Sequence, residues 1–281
     1  MNTGVLLLAH GAPERIEDVP QYLSLVRGGQ PVSARVLDEV TSRYAAIGGS
    51  SPLTRWTRVQ AEALQRMLGI PVFFGMRNWR PFVQETLDQV RAAGVKRLTC
   101  VYLAPQFAEM SVVGLYMKRT AEAAQGVELK WASSFATEPL LIEAFAERLR
   151  GLRGKVLFTA HSLPAPNERY DGEASATASA VAARLGIAEW EFAYQSQGMS
   201  GGNWLGPTVE SCLDRYAAEG VREVVIAPIG FVCDHVEILY DIDVLFRGYA
   251  AARGIALTRP ESLNGSSAFT AALAEVVRRC W

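Results

Sequence analysis

Val156-Leu157-Phe158-Thr159-Ala160-His161-Ser162-Leu163-Pro164 is an apolar, β-rich run that ends in a histidine, a small residue and, two positions later, a proline. Branched and aromatic side chains favour an extended strand, and proline stops regular structure soon after it. Such a sequence lifts one imidazole off the carboxyl end of a strand, which is where open α/β sheets bind their ligands. A second segment follows the same plan: Pro228-Ile229-Gly230-Phe231-Val232-Cys233-Asp234-His235-Val236-Glu237-Ile238-Leu239-Tyr240-Asp241. It passes from a strand-like run into a helical stretch loaded with acids. The expectation is that His161 and Glu237 face each other across a cleft.

Working outward, Val5 to Ala9 is apolar at every position and reads as a buried parallel strand. It ends in His10-Gly11-Ala12-Pro13, which His161-Ser162-Leu163-Pro164 echoes. Gly94-Val95-Lys96-Arg97 before one strand is likewise echoed by Gly220-Val221-Arg222-Glu223 before another. Two echoes in the same order predict duplicated β-α lobes. Ser33 is placed to cap a helix over Ala34–Ile47, and Ser51-Pro52 starts one that runs through Leu68. Further helices are expected over Pro81–Ala93, Gly114–Gln125, Pro139–Arg150, Ala174–Leu185 and Pro207–Ala218. Strands are expected over Pro71–Met76, Arg97–Leu103, Leu129–Ala132 and Glu191–Gln195. Strands alternating with helices imply parallel sheets with right-handed crossovers, so the fold class is α/β. The division is set at residues 1–145 and 146–281, with the last helix, Ser267–Arg279, free to pack on either lobe.

The chain has 281 residues, a length that fits two domains. Apolar residues make up 49% and charged residues 20%, an ordinary globular balance. A formal net charge of −1 gives no footprint for a polyanion, so no nucleic-acid partner is expected. Met1-Asn2-Thr3-Gly4 leads straight into a strand, and no apolar run approaches the ~18 residues that span a bilayer. Cys100, Cys212, Cys233 and Cys280 are scattered with no C-x-x-C pair. Reduced thiols in a cytoplasm are the expectation.

The chain contains three histidines: His10, His161 and His235. A neutral imidazole such as that of His161 can accept a proton or bind a first-row divalent metal. The plainer reading is a ring that ties down a loop; position beyond a strand end favours function. Glu237 and Asp241 are spaced i and i+4, so on a helix their carboxylates share a face. Like charges that close raise one pKa and also make an oxygen site for a divalent cation. His235, two residues from Glu237, would point elsewhere on a helix and reads as a structural hydrogen-bonding group. His10 stands at the equivalent strand end of the other lobe, where it either lines the opposite wall or belongs to the scaffold. Arg27, Arg43, Tyr44 and Ser51 bracket the glycine turns of the first lobe; arginine forks suit the carboxylates of an acidic ligand. Gly48-Gly49-Ser50-Ser51 matches neither G-x-G-x-x-G nor a P-loop, which disfavours a nucleotide. The apolar stretch Met110, Val112, Val113, Leu115, Tyr116 and Met117 fits core and pocket wall equally well.

These residues together resemble the ferrochelatase family over essentially the whole chain. The blocks are Leu7–Pro13, Arg43–Leu53, Leu103–Phe107, Thr159–Pro164, Tyr194–Gly198 with Trp204–Pro207, and Pro228–Asp241, all in the family's order. The resemblance implies two similar Rossmann-like lobes, each a parallel sheet flanked by helices, clamping a porphyrin between them. It implies insertion of Fe2+ into protoporphyrin IX or coproporphyrin III, with iron as substrate and no organic cofactor. The residues matching His161 and Glu237 bind iron or take the pyrrole protons, and Asp241 continues a polar line away from them. Arg27, Arg43, Tyr44 and Ser51 match positions that hold the propionates. The family's cleft tyrosine falls at 115–116, where Tyr116 is available, and His10 would contact the macrocycle. A transient contact with a membrane or with another enzyme of haem synthesis is compatible with this reading. A sister chelatase for cobalt or nickel, and a non-catalytic tetrapyrrole carrier, are the competing readings.

Overall fold

The computed structural model describes residues 2–109, 112–198 and 202–281, through the backbone alone at 112–114. Met110, the side chains of Val112 and Val113, and the middle of the Gln197–Gly206 loop therefore lie outside the described residues.

Two four-stranded parallel sheets carry the fold. In the first, β1 (Thr3–Ala9) lies between β2 (Val72–Met76) and β3 (Arg97–Tyr102), with β4 (Glu128–Trp131) beyond β3, so the order is β2-β1-β3-β4. In the second, β5 (Lys155–His161) lies between β6 (Trp190–Gln195) and β7 (Glu223–Pro228), and β8 (Ala256–Thr258) forms the edge, giving β6-β5-β7-β8. The two orders are the same permutation, so the repetition seen in the sequence is a repetition of topology. Val5 pairs with Val72 on one side and Thr99 on the other, and Leu157 pairs with Glu191 and Ile226. Each lobe is thus centred on the strand whose tip carries a histidine.

The helices are α1 (Val19–Val26), α2 (Ala34–Ala46), α3 (Leu53–Leu68), α4 (Val83–Ala92), α5 (Lys118–Ala123), α6 (Pro139–Leu149), α7 (Glu168–Leu185), α8 (Val209–Ala218), α9 (Val236–Leu239), α10 (Arg247–Ala251) and α11 (Ser267–Arg278). They cover both faces of each sheet, which is why the central strands are apolar throughout. Leu6 and Leu8 pack with Leu87 and Val90 of α4, whereas Val5 and Leu7 turn the other way toward Ala61 and Leu64 of α3. Strand periodicity of two makes this alternation unavoidable. Val156, Phe158 and Ala160 of β5 enter the same core as Val5 and Leu7, so one apolar core joins the two sheets. α11 supplies Phe269, Leu273 and Val277 to it and packs on α3 and α6. Ser33 caps α2 by accepting from the Val36 N–H at 3.4 Å, as its sequence position predicts.

Three local expectations need correction. Gly114–Gln125 is not one α-helix: a π-helical turn at Val112–Met117 leads into the short α5. α7 begins at Glu168, six residues before the predicted Ala174, because Tyr170 is drawn into the core at 6% exposure. β8 is unforeseen; three half-exposed residues leave too short an apolar pattern to read.

Candidate active site

His161 is the last residue of β5, and hydrogen bonds fix both its ring and its backbone. Its Nδ1 donates to the Ser162 carbonyl at 2.5 Å, since a carbonyl can only accept. The Tyr170 hydroxyl donates to the His161 carbonyl at 3.0 Å. In the neutral ring this leaves the Nε2 lone pair pointing into the cleft, where it stands 3.7 Å from Glu237 Oε1.

Glu237 reaches that position through the turn between β7 and α9. Gly230 N–H donates to the Thr159 carbonyl at 3.2 Å, and a Cβ on Gly230 would lie 2.7 Å from that of Ala160. A residue with any side chain would push this turn off the β5 tip. Gln195, fully buried beside His161, donates from Nε2 to the Glu237 carbonyl at 3.0 Å and accepts from Thr159 Oγ1 at 2.7 Å. One amide therefore fixes the acid relative to the histidine-bearing strand.

His235 is closer to the chemistry than its spacing implied. It precedes α9 with φ −160°, an extended and not a helical residue, so the two-residue offset from Glu237 does not turn it away. Its Nδ1 donates to the Cys233 carbonyl at 3.0 Å, and its Nε2 lies 3.5 Å from Glu237 Oε2. Glu237 is thus flanked by an imidazole on each oxygen. Burial by itself would raise its pKa, but His161, the His235 hydrogen bond and His10 outweigh that and lower it to about 2. Among the described residues no three His, Cys, Asp or Glu side chains form a metal cage. The pair is an open site with two electron-pair donors.

Asp241 lies in the π-helical turn Asp241–Phe246 that continues from α9 and is 4% exposed. Burial raises its pKa to about 6, against the opposing effects of a hydrogen bond from Ser196 Oγ and of Arg43, 3.8 Å away, while Glu237 adds to the rise. Asp234 and Asp243 face away from Glu237: Arg259 bridges them, with Nη1 to Asp234 at 3.2 Å and Nη2 to Asp243 at 2.7 Å.

The cavity beside the pair holds about 350 Å³ and is walled by both lobes. His10, Tyr44, Tyr116 and Arg77 line it on the first-lobe side, together with Tyr22 and Tyr102, which the sequence did not single out. Tyr44 and Tyr102 have buried hydroxyls with no partner among the described residues. Tyr116 packs edge-on to Tyr102 at 5.2 Å, and burial takes its pKa up to about 12. The remaining candidates stand apart from the cavity wall. Arg27 is exposed at the end of α1. Arg43 is held by Glu39 at 2.6 Å and by Asp241. Ser51 is buried, with its hydroxyl on the Leu53 N–H and its own N–H on the Pro13 carbonyl. Tyr22 and Tyr102 were missed because no periodicity marks them, whereas Arg77 follows β2 directly, at a strand end where ligands gather.

The family profile described as Ferrochelatase matches residues 2–280. The chain belongs to the ferrochelatase family. A ferrochelatase from Acidobacterium capsulatum is 45% identical over 98% of this chain and 93% of its own length. A coproporphyrin III ferrochelatase from Mycobacterium ulcerans is 35% identical over 94% of this chain and 83% of its own. Among solved structures, the sirohydrochlorin chelatase SirB from Bacillus subtilis subspecies spizizenii, in complex with cobalt, superposes with a TM-score of 0.64. That match covers 100% of this chain and 95% of SirB at 10% identity, so it shows the shared two-lobed fold. No helix among the described residues is long and apolar enough to cross a membrane.

Proposed function

We propose that this protein is a ferrochelatase that inserts Fe2+ into a porphyrin, protoporphyrin IX or coproporphyrin III, and releases the two pyrrole protons. The observation that carries the reading is the His161–Glu237 pair, two electron-pair donors 3.7 Å apart at the wall of an apolar, tyrosine-lined slot. Metallation must strip water from a cation and remove two N–H protons, so it needs bases and a dry cleft. His161 Nε2 and the Glu237 carboxylate hold the incoming Fe2+ or take the pyrrole protons, and Asp241, beside Arg43, continues the polar line away from them. Porphyrin nitrogens complete the coordination that the two side chains leave open. A macrocycle saddled toward His161 exposes its pyrrole nitrogens, so the slot should favour that shape over a flat one. Tyr44, Tyr116, Arg77 and His10 form the porphyrin wall, with Arg27, Arg43 and Ser51 contributing at its rim when ligand is bound. No organic cofactor is required, and the protein works in a reducing cytoplasm. Relatives named ferrochelatase across nearly the whole chain disfavour a cobalt or nickel chelatase.

The test is purified protein with ferrous iron and each porphyrin in turn, followed by absorbance under argon. Formation of haem or coprohaem is expected. His161→Ala and Glu237→Ala should each lower the rate by about 10²–10⁴, the range of a lost acid–base group, while porphyrin still binds. Full activity in both variants would remove the pair from the reaction.

A further inference from the structure

We infer that Arg77 and Asn78 are positioning residues that hold His10 as the neutral Nε2–H tautomer and keep it off the metal centre of a porphyrin in the cleft. The second half of this inference rests on the proposed ferrochelatase reading; the first does not.

The argument starts from donors and acceptors. Arg77 Nη2 lies 3.3 Å from His10 Nδ1, and a guanidinium can only donate, so Nδ1 must accept. The ring proton is then on Nε2, 3.1 Å from the Asn78 amide, and donor–acceptor matching turns that amide so that its oxygen, not its NH2, accepts the proton. The same oxygen accepts from Arg77 Nε at 3.2 Å and Nη2 at 3.3 Å, so the three side chains close a ring of hydrogen bonds. A protonated imidazole would face the Arg77 cation with an N–H, and the Nδ1–H tautomer would set two donors against each other.

The backbone builds this clamp. Beyond the last β1–β2 pair, Arg77 N–H donates to the Ala9 carbonyl at 3.0 Å and Asn78 N–H to the His10 carbonyl at 2.9 Å. Gly11, at φ +85°, lets the chain pass so close that a Cβ would stand 2.7 Å from Trp79 N. Asn78 is buried, and the Arg77 guanidinium rests over the Tyr116 ring at 5.2 Å.

The contrast with the other two histidines gives the clamp its meaning. His161 and His235 both spend Nδ1 on a carbonyl and turn Nε2 toward Glu237. His10 has its single lone pair on Arg77 and an N–H on Asn78. To bind iron through Nδ1 it must give up Arg77, and to bind through Nε2 it must move its proton and give up Asn78 as well. A second free imidazole, at position 10, would let the cleft grip a metallated product from His10 as well as His161; the clamp keeps His10 out of that role.

The first experiment needs no substrate. In protein labelled with 15N-histidine, long-range proton–nitrogen spectra at pH 7 should show that the ring whose signals vanish in His10→Phe is protonated at Nε2 and not at Nδ1. Protonation at Nδ1, or at both nitrogens, would overturn the inference. The second adds ferric protoporphyrin IX to the unmodified protein, Asn78→Leu, Arg77→Met, and Asn78→Leu combined with His10→Phe. Each single variant should gain His10-dependent nitrogen ligation of the haem, beyond any that His161 supplies, and release haem about tenfold more slowly, as for one extra contact of ordinary strength. The double variant should lose both effects. His10-dependent nitrogen ligation in the unmodified protein, or no change in either single variant, would refute the clamp. Absent metallation with the expected tautomer would count against the proposed reaction and leave the tautomer assignment standing.

Discussion

Asp241 is where residue-level electrostatics make a prediction separable from catalysis. The folded chain holds its proton up to about pH 6, against 3.8 for the unreacted side chain. Protons are therefore bound more tightly in the folded state between these values, so stability falls as pH rises from about 4 to 6 and is level above. Asp241→Asn keeps a hydrogen-bonding group for Ser196 and cannot ionise. It should be more stable than the parent at pH 7 by something on the order of 2–3 kcal/mol, with the gain vanishing toward pH 4. Urea midpoints at both pH values measure this; an equal difference at each would rule out the buried-charge account. Asp241→Ala should slow metallation less than loss of His161 or Glu237, and unchanged kinetics would take it out of the proton path. His161, Glu237 and Asp241 were legible in the sequence because strand ends and i, i+4 acids are local patterns. The part played by His235 was not, because its extended φ follows from the β7–α9 turn and not from the identity of its neighbours.

At the scale of elements, the segment from Asp234 to Phe246 is anchored behind its functional face. Arg259 is 10% exposed and joins Asp234, before Glu237, to Asp243, after Asp241. Arg259→Met would leave Asp234 without its cation and Asp243 with only the exposed Arg247, a loss of about 3 kcal/mol. If the anchor also aims Glu237, kcat should fall more than KM rises, and a variant with full kcat would restrict Arg259 to stability. Gly230 makes the complementary case. Its Ala variant meets Ala160 at 2.7 Å, so a shift of the turn is forced. We expect a destabilisation of about 1–3 kcal/mol and slower metallation; neutral melting would mean the turn relaxes freely. Most elements were readable from apolar period and punctuation: β1, β5, α2 and α3 fall within a residue or two of expectation. Those that were not are β8, the π-helical turns, whose single inserted residue leaves no mark on periodicity, and the start of α7, where Tyr170 is tied back to the His161 carbonyl at the end of β5.

For the whole molecule, one apolar core runs from Val5 and Leu7 through α11 to Val156 and Phe158, so neither sheet is covered without the other half of the chain. Gln106, buried after β3, adds a polar tie by donating to Thr177 Oγ1 at 3.0 Å and the Ile229 carbonyl at 3.2 Å. The two lobes should therefore unfold together, with near- and far-ultraviolet dichroism giving coincident transitions; two separated transitions would show the cores to be independent. The shared strand order has a consequence for how a guest is received. Because β1 and β5 hold the same place in their sheets, positions 10 and 161 are counterparts, and both line the cavity between the lobes. Yet one counterpart offers an electron pair while the other has its own tied up. On the proposed reaction, a guest whose two faces are chemically alike would acquire a front and a back on seating, and a metal ion would have only one of them through which to be handed over.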